Sequence, residues 1–328
     1  MRPIRYLPVT EGGAALSAIA AGDAALLAGG TSLLDLMKLD VLTPERLVDI
    51  NALPLATIEP QSDGGLRIGA LVRNSELAWD ERVRTRYPML SEALLAGASP
   101  QLRNMATTAG NVMQRTRCWY FRDVASPCNK RTPGSGCGAI DGQNRIHAIV
   151  GTSDKCIAVH PSDMCVAMAA LDATVIVGGP KGERRVPFVD FHRLPGDTPH
   201  LETALEPAEM IVAVTLPNAP WAARSRYLKI RDRASYAFAL VSVAAALEMD
   251  GKTIKSARLA LGGIGTKPWR AVDAEKALVG KEASEATFRA AAATVTAGAK
   301  PRKHNAFKVE LAQRAVVRAL TLVHGGAA

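Results

Sequence analysis

The sequence predicts an α+β protein in three successive parts, and three observations carry that expectation. Short apolar runs alternate with helix-period segments across residues 1–55. A hairpin, two helical stretches and further short strands follow in 56–220, interrupted by a cysteine-bearing insert at about 113–159. In 221–328, three alternating runs read as a three-stranded antiparallel meander followed by helices.

Gly12–Ala21 is Ala-rich with helical spacing, and Ala25–Ala28 is a short apolar strand running into Gly29-Gly30-Thr31-Ser32. Helical spacing resumes through Leu33, Leu34, Leu36 and Met37, and Arg46–Ile50 reads as a strand closed by Asn51 and Pro54. A hairpin follows, with Ala56–Glu59 and Leu66–Gly69 joined by the turn Ser62-Asp63-Gly64-Gly65. Glu76–Arg86 and Met89–Ala98 are helical in pattern, and Thr107–Asn111 reads as a loop. Beyond the insert, Ser162-Asp163 caps a helix through Met164, Val166, Met168 and Leu171. Ala173–Val177 and Glu183–Val186 enclose the turn Gly178–Gly182, and Met210–Leu216 is a strand stopped by Pro217. The meander comprises Arg226–Ile230, Leu240–Met249 and Ile254–Leu261, turning at Asp250-Gly251-Lys252. Ala271–Leu278, Glu285–Ala297 and Val309–Val323 are the closing helices.

The insert carries Cys118, Cys128, Cys137 and Cys156 in the spacing C-x9-C-x8-C-x18-C, without the close pairs of zinc knuckles or simple ferredoxin loops. Spacing alone leaves zinc, an iron–sulfur cluster and no metal all open. Turn formers such as Ser126-Pro127 and Thr132-Pro133-Gly134-Ser135-Gly136 crowd the segment, and so irregular a stretch needs an internal organiser. Its surplus of Arg and Lys would favour thiolates and an anionic centre, although a solvated basic loop reads the same way. Cys165 stands apart, among small apolar residues of the following helix, and reads as a core cysteine.

Net charge is +9, which admits nucleic acid, an acidic partner or anionic cofactors. Aromatic residues are only 5%, with no basic stripe interleaved with aromatics and no nucleic-acid motif, so nucleic acid is not expected. No apolar run reaches the length of a membrane span. Met1–Thr10 lacks an apolar core and cleavage site, so no signal peptide is expected; the compartment is cytoplasmic, or periplasmic by co-export with a signal-bearing partner.

The stretch Leu26-Leu27-Ala28-Gly29-Gly30-Thr31-Ser32-Leu33 is a second chemical signal. Paired glycines between a strand and a helix let backbone N–H groups approach a pyrophosphate, although a tight structural turn accounts for them equally well. It is not the G-x-G-x-x-G of a dinucleotide-binding unit.

In order along the chain, Ala28-Gly29-Gly30-Thr31, the Thr107–Asn111 loop, His160-Pro161-Ser162-Asp163 and the Glu209–Pro217 strand resemble the FAD-binding subunits of the xanthine dehydrogenase, or molybdenum hydroxylase, family. The resemblance implies an FAD-binding fold of the PCMH or CO dehydrogenase flavoprotein type in two subdomains, 1–55 and 56–220, then a CO dehydrogenase flavoprotein-like C-terminal domain. Cys118-Trp119-Tyr120-Phe121-Arg122-Asp123, Cys128-Asn129-Lys130-Arg131 and Gly134-Ser135-Gly136-Cys137 are similar to the medium subunits of bacterial aldehyde oxidoreductases that carry a [4Fe–4S] cluster besides FAD. A related insert occurs in the flavin subunit of 4-hydroxybenzoyl-CoA reductase.

The resemblance implies that Leu26, Leu27, Ala28, Gly29, Gly30, Thr31, Ser32 and Leu33 embrace the FAD diphosphate, with Thr107, Thr108, Gly110 and Asn111 completing its cradle. Asp163 would meet the ribityl chain or flavin edge, Ile211 would pack on the isoalloxazine, and Lys229 would place a cation near its N1/O2 side. Read without it, Asp163 is a helix cap, Ile211 a core residue and Lys229 a solvated strand lysine. It further implies cluster ligation by Cys118, Cys128, Cys137 and Cys156, and no substrate chemistry in this chain. The expected assembly is a heterotrimer: a large molybdenum-cofactor subunit oxidises an aldehyde, a small [2Fe–2S] subunit relays electrons, and FAD here passes them to an external acceptor. The flavin subunit of a 4-hydroxybenzoyl-CoA reductase or another molybdenum hydroxylase is the alternative within the class, and a zinc-stabilised binding or assembly protein is the alternative outside it.

Overall fold

The computed structural model describes residues 3–325 and contains three sheets. The first is parallel: β1 (Arg5–Pro8), β2 (Ala24–Leu27) and β3 (Arg46–Asp49) lie in the order β1-β3-β2. Parallel neighbours need crossovers, which the helices Gly12–Ala20 and Leu33–Lys38 supply. β1 has four exposed residues and no apolar alternation, so no periodic pattern marks it as a strand.

The second sheet is antiparallel, formed by β4 (Ile58–Pro60), β5 (Leu66–Gly69), β6 (Thr174–Gly179), β7 (Gly182–Pro187) and β8 (Met210–Leu216), ordered β4-β5-β8-β6-β7. β8 is central and buried along its whole length, the expected fate of an apolar run with neighbours on both sides. The first hairpin arm begins at Ile58 rather than Ala56.

The third sheet has four strands where three were expected: β9 (Ser225–Ile230), β10 (Val241–Asp250), β11 (Thr253–Gly262) and β12 (Trp269–Arg270), ordered β12-β11-β10-β9. β12 has two residues, too few for alternation to register. β10 explains the layering. Val243, Ala245 and Leu247 face the helices Val272–Leu278, Glu285–Val295 and Phe307–His324, in one core. Ala244 and Ala246 face the other way, and their small side chains let the helix Asp163–Ala170 pack close. That helix is buried at all eight positions, packs on the third sheet and shares one core with residues of the second.

Three other expectations need correction. Glu76–Arg86 is two helices, Asn74–Trp79 and Glu81–Arg86, because the Asp80 carboxylate caps the second by accepting from the Arg82 and Val83 N–H groups. Thr107–Asn111 is mostly helical: Thr107 caps the helix Thr108–Val112, and the unanticipated helix Pro100–Met105 precedes it. The insert is not without local structure, since it contains the helices Trp119–Arg122 and Gly138–Asp141 and an antiparallel bridge between Cys128 and Cys137.

Candidate functional site

β2 delivers Ala28-Gly29-Gly30-Thr31 to the helix Leu33–Lys38. Gly29 is forced by packing, since a Cβ there would fall 1.9 Å from the Met105 carbonyl oxygen. Gly30 has φ +72°, a conformation that glycine adopts without a Cβ penalty. Arg73 holds the loop in place by donating to the Met105 carbonyl at 2.5 Å and to Asn51 Oδ1 at 3.2 Å, while Asn51 Nδ2 donates to the Ala28 carbonyl at 3.0 Å.

In front of this loop lies a cavity of about 600 Å³. Thr31, Ser32, Gly110, Asn111, Asp163 and Lys229 line it. Leu26 and Leu27 belong to β2, and Ala28, Gly29, Gly30 and Leu33 shape the loop from behind the wall. Thr107 and Thr108 are buried and position the loop: Thr107 Oγ1 accepts from the Gly110 N–H at 3.2 Å, and Thr108 Oγ1 donates to the Val72 carbonyl at 3.1 Å. Ile211 is a core residue of β8 and is not part of the cavity wall.

Asp163 and Lys229, anticipated as separate contacts, form one buried ion pair of 2.7 Å, their side chains 8% and 4% exposed. Asp163 also accepts from the Tyr227 hydroxyl at 2.6 Å, and Lys229 donates to the Ala96 carbonyl at 3.0 Å. Burial, then the Asp163 charge, pushes the Tyr227 phenol well above its ordinary value, so it stays a donor. The Lys229 charge is therefore already compensated, and it differs from the free cation that the sequence suggested.

The remaining charge on the wall is mainly cationic, from Arg103, Arg117, Arg122 and Arg233. Arg117 and Arg122 come from the insert and meet Asp35, on the helix Leu33–Lys38, at 2.7 and 2.8 Å. The Arg122 hydrogen bond is the main influence holding the Asp35 carboxyl below its usual value. Arg117 Nε, Arg122 Nη1 and Asn74 Oδ1 are buried with no hydrogen-bond partner among the described residues. A deep cavity with cationic walls and unpaired polar atoms fits a large anionic ligand such as a dinucleotide. Sequence reading missed Asn74 and Asp35, which lie in unremarkable helical pattern, and saw the arginines only as part of a basic stretch.

Cys118, Cys128, Cys137 and Cys156 line one small cavity. All are unpaired thiols, packed with Phe121, Ile157 and, from the helix Leu33–Lys38, Leu36. The insert's polar residues organise it: Arg131 donates to the Tyr120 and Phe121 carbonyls at 2.8 Å, Asn129 Nδ2 donates to the Lys155 carbonyl at 3.0 Å, and Asn129 Oδ1 accepts from the Gly136 N–H at 2.9 Å. Burial pushes the Cys118 thiol up to about 12 and Cys156 up to about 11, so a metal must displace protons to bind here. His147 Nε2 lies 3.1 Å from Cys118 Sγ, and burial, then the Lys308 charge, pulls the imidazole down to about 4. Lys308, fully buried on the C-terminal helix, donates to the His147 carbonyl at 3.0 Å and the Gly263 carbonyl at 2.6 Å.

Cys165 lies elsewhere, grouped with His160 and His192 within 4.8 Å, the single set of three such ligand atoms this close among the described residues. The four insert sulfurs do not form so tight a group. His192 is hydrogen-bonded through Nε2 to the Val112 carbonyl at 3.0 Å.

Residues 3–219 match the family described as the FAD binding domain in molybdopterin dehydrogenase, and 226–323 match the CO dehydrogenase flavoprotein C-terminal domain. The chain is 55% identical over 312 residues, 95% of each chain, to the aldehyde oxidoreductase FAD-binding subunit PaoB of Escherichia coli. To the glyceraldehyde dehydrogenase medium chain of Sulfolobus acidocaldarius it is 28% identical, over 84% of this chain and 80% of that one. Among solved structures, a chain of the Hydrogenophaga pseudoflava carbon monoxide dehydrogenase lacking the Mo-pyranopterin moiety matches with TM-score 0.77 and 27% identity, covering 100% of this chain and 99% of that one. With matched sequence, matched fold and a cationic cavity in front of the glycine loop, this chain belongs to the FAD-binding medium subunits of the molybdenum hydroxylases, a family of oxidoreductases.

Proposed function

We propose that this chain is the FAD- and [4Fe–4S]-binding electron-transfer subunit of a heterotrimeric molybdenum-dependent aldehyde oxidoreductase. A large molybdenum subunit and a small [2Fe–2S] subunit supply the electrons, and an external acceptor takes them. The observation that carries this reading is the helix Leu33–Lys38, which follows the glycine loop at the dinucleotide-sized cavity and presents Leu36 to the four cysteines. Similarity to the aldehyde oxidoreductase subunit over 95% of the chain points to the aldehyde class. We assign FAD-binding subdomains to 1–55 and 56–220 and the C-terminal domain to 221–328.

Thr31, Ser32, Gly110 and Asn111 hold the diphosphate, Arg117 and Arg122 neutralise its charge, and the Asp163–Lys229 pair orients the flavin end. FAD, when bound, supplies exchange of one or two electrons. Cys118, Cys128, Cys137 and Cys156 hold the cluster. Zinc, at about 2.3 Å from sulfur, would draw four tetrahedral thiolates to within about 3.8 Å of each other. The looser grouping of these sulfurs favours a centre in which each thiolate has its own iron.

An absorption spectrum of the assembled protein, with iron and sulfide analysis, tests both cofactors. Flavin bands with a broad iron–sulfur shoulder are expected; a colourless, zinc-loaded chain overturns the proposal. Gly30→Val tests the loop separately. A β-branched residue at φ +72° meets a steric cost of about 1–2 kcal/mol. A loop that relaxes away from φ +72° to escape this strain must regain it on binding, so FAD affinity should fall roughly fivefold to thirtyfold. Iron should remain, and full flavin occupancy in this variant would refute the loop's role.

A further inference from the structure

We propose that His147 is a positioning residue that raises the reduction potential of the iron–sulfur centre by donating a hydrogen bond to the Cys118 thiolate. The inference rests on the four-cysteine site holding a [4Fe–4S] cluster. Nε2 of His147 lies 3.1 Å from Cys118 Sγ, and the residue is 1% exposed. A thiol could donate to the imidazole across this gap. A cluster thiolate has no proton, so the contact persists in the loaded protein only as Nε2–H···S, with Nδ1 carrying the lone pair. Among the described residues, Nδ1 has no hydrogen-bond partner that would oppose this tautomer.

The backbone that carries the ring is held from behind. Lys308 and Asn305 both donate to the His147 backbone carbonyl, at 3.0 and 3.3 Å, and Asn305 reaches the Ala148 carbonyl at 3.2 Å. Asn144, in the same turn, accepts from the His304 N–H at 2.9 Å. A segment of the C-terminal domain thus fixes the backbone from which the imidazole reaches the sulfur. Among the described residues, no other side chain makes a hydrogen bond to one of these four sulfurs; Cys156 accepts from the Ala158 backbone N–H at 3.5 Å. A hydrogen bond to a ligand sulfur draws electron density from the cluster and favours its more negative, reduced state, and burial strengthens the effect by keeping water away.

His147 and Cys118 also line a cavity of about 250 Å³ that shares Asp163 and Phe238 with the dinucleotide cavity. Of the four cysteines Cys118 is the one that lines this cavity, so the bond falls on the side of the site that faces it. A higher cluster potential there makes the centre easier to reduce by whatever donor precedes it.

The test uses the assembled complex with His147→Leu, which removes the donor, and His147→Gln, which keeps an N–H of similar reach. Iron and sulfide are measured first, then the cluster midpoint by a redox titration followed by electron paramagnetic resonance. The Leu variant should titrate at a more negative midpoint than wild type, and the Gln variant should recover most of the difference. An iron-loaded Leu variant with the wild-type midpoint overturns the inference while leaving the cluster intact. Absence of iron from the wild-type complex instead overturns the cluster reading, and the inference with it. If the Leu variant does not load iron, wild type decides: the reduced cluster of protein carrying isotope-labelled histidine should show hyperfine coupling to one imidazole nitrogen, and its absence overturns the proposal.

Discussion

Cys118→Ser is expected to remove iron and to weaken FAD binding in the same protein. Loss of a ligand should cost at least the roughly 10–100-fold in metal affinity typical of losing an outer-sphere partner. The flavin effect follows from the helix Leu33–Lys38. Without a centre to organise it, the insert no longer holds Leu36 by packing, nor Asp35 by the bonds from Arg117 and Arg122. A hydrogen bond to a charged group contributes about 1.5–3 kcal/mol, so losing one of these contacts should weaken FAD by roughly tenfold to a hundredfold. Cys128→Ser, Cys137→Ser and Cys156→Ser should behave alike, whereas Cys165→Ser, buried on another helix, should leave iron unchanged. Iron and flavin content per chain are the measurements. Equal iron loss from Cys165→Ser would overturn the ligand assignment, and full FAD retention after iron loss would show that the two sites are independent.

Lys229→Met should destabilise the chain by about 3–5 kcal/mol, because it leaves the Asp163 carboxylate buried without its partner. Tyr227 still donates one hydrogen bond, which is too little to replace a full charge. Thermal unfolding of the assembled protein reads the loss, and FAD release should precede it, since both residues line the cavity. Lys229→Met combined with Asp163→Asn removes both charges and should recover most of the stability. A single variant as stable as wild type would mean that water reaches the pair, contrary to side chains 4% and 8% exposed.

Local order was legible in the sequence where periodicity or turn chemistry was strong. Met210–Leu216 became the buried centre of a sheet, Ser162 accepts from the Cys165 N–H as a cap, and Asp250-Gly251 turns the meander. Weak local signals failed: the exposed strand Arg5–Pro8, the two-residue strand Trp269–Arg270 and the helix break at Asp80 lack an apolar pattern long enough to recognise. At the candidate site, the four grouped cysteines and the paired glycines were legible from the chain alone, because each set lies within one segment. Only the tertiary structure joined Asp163 to Lys229, Arg117 and Arg122 to Asp35, and His147 to Cys118. Each of these contacts spans two segments whose approach is set by packing: the eight buried positions of Asp163–Ala170 against a face of alanines, and Leu36 against the insert. Side-chain pairing at that range depends on the register of packed elements, and no local period of the chain encodes it.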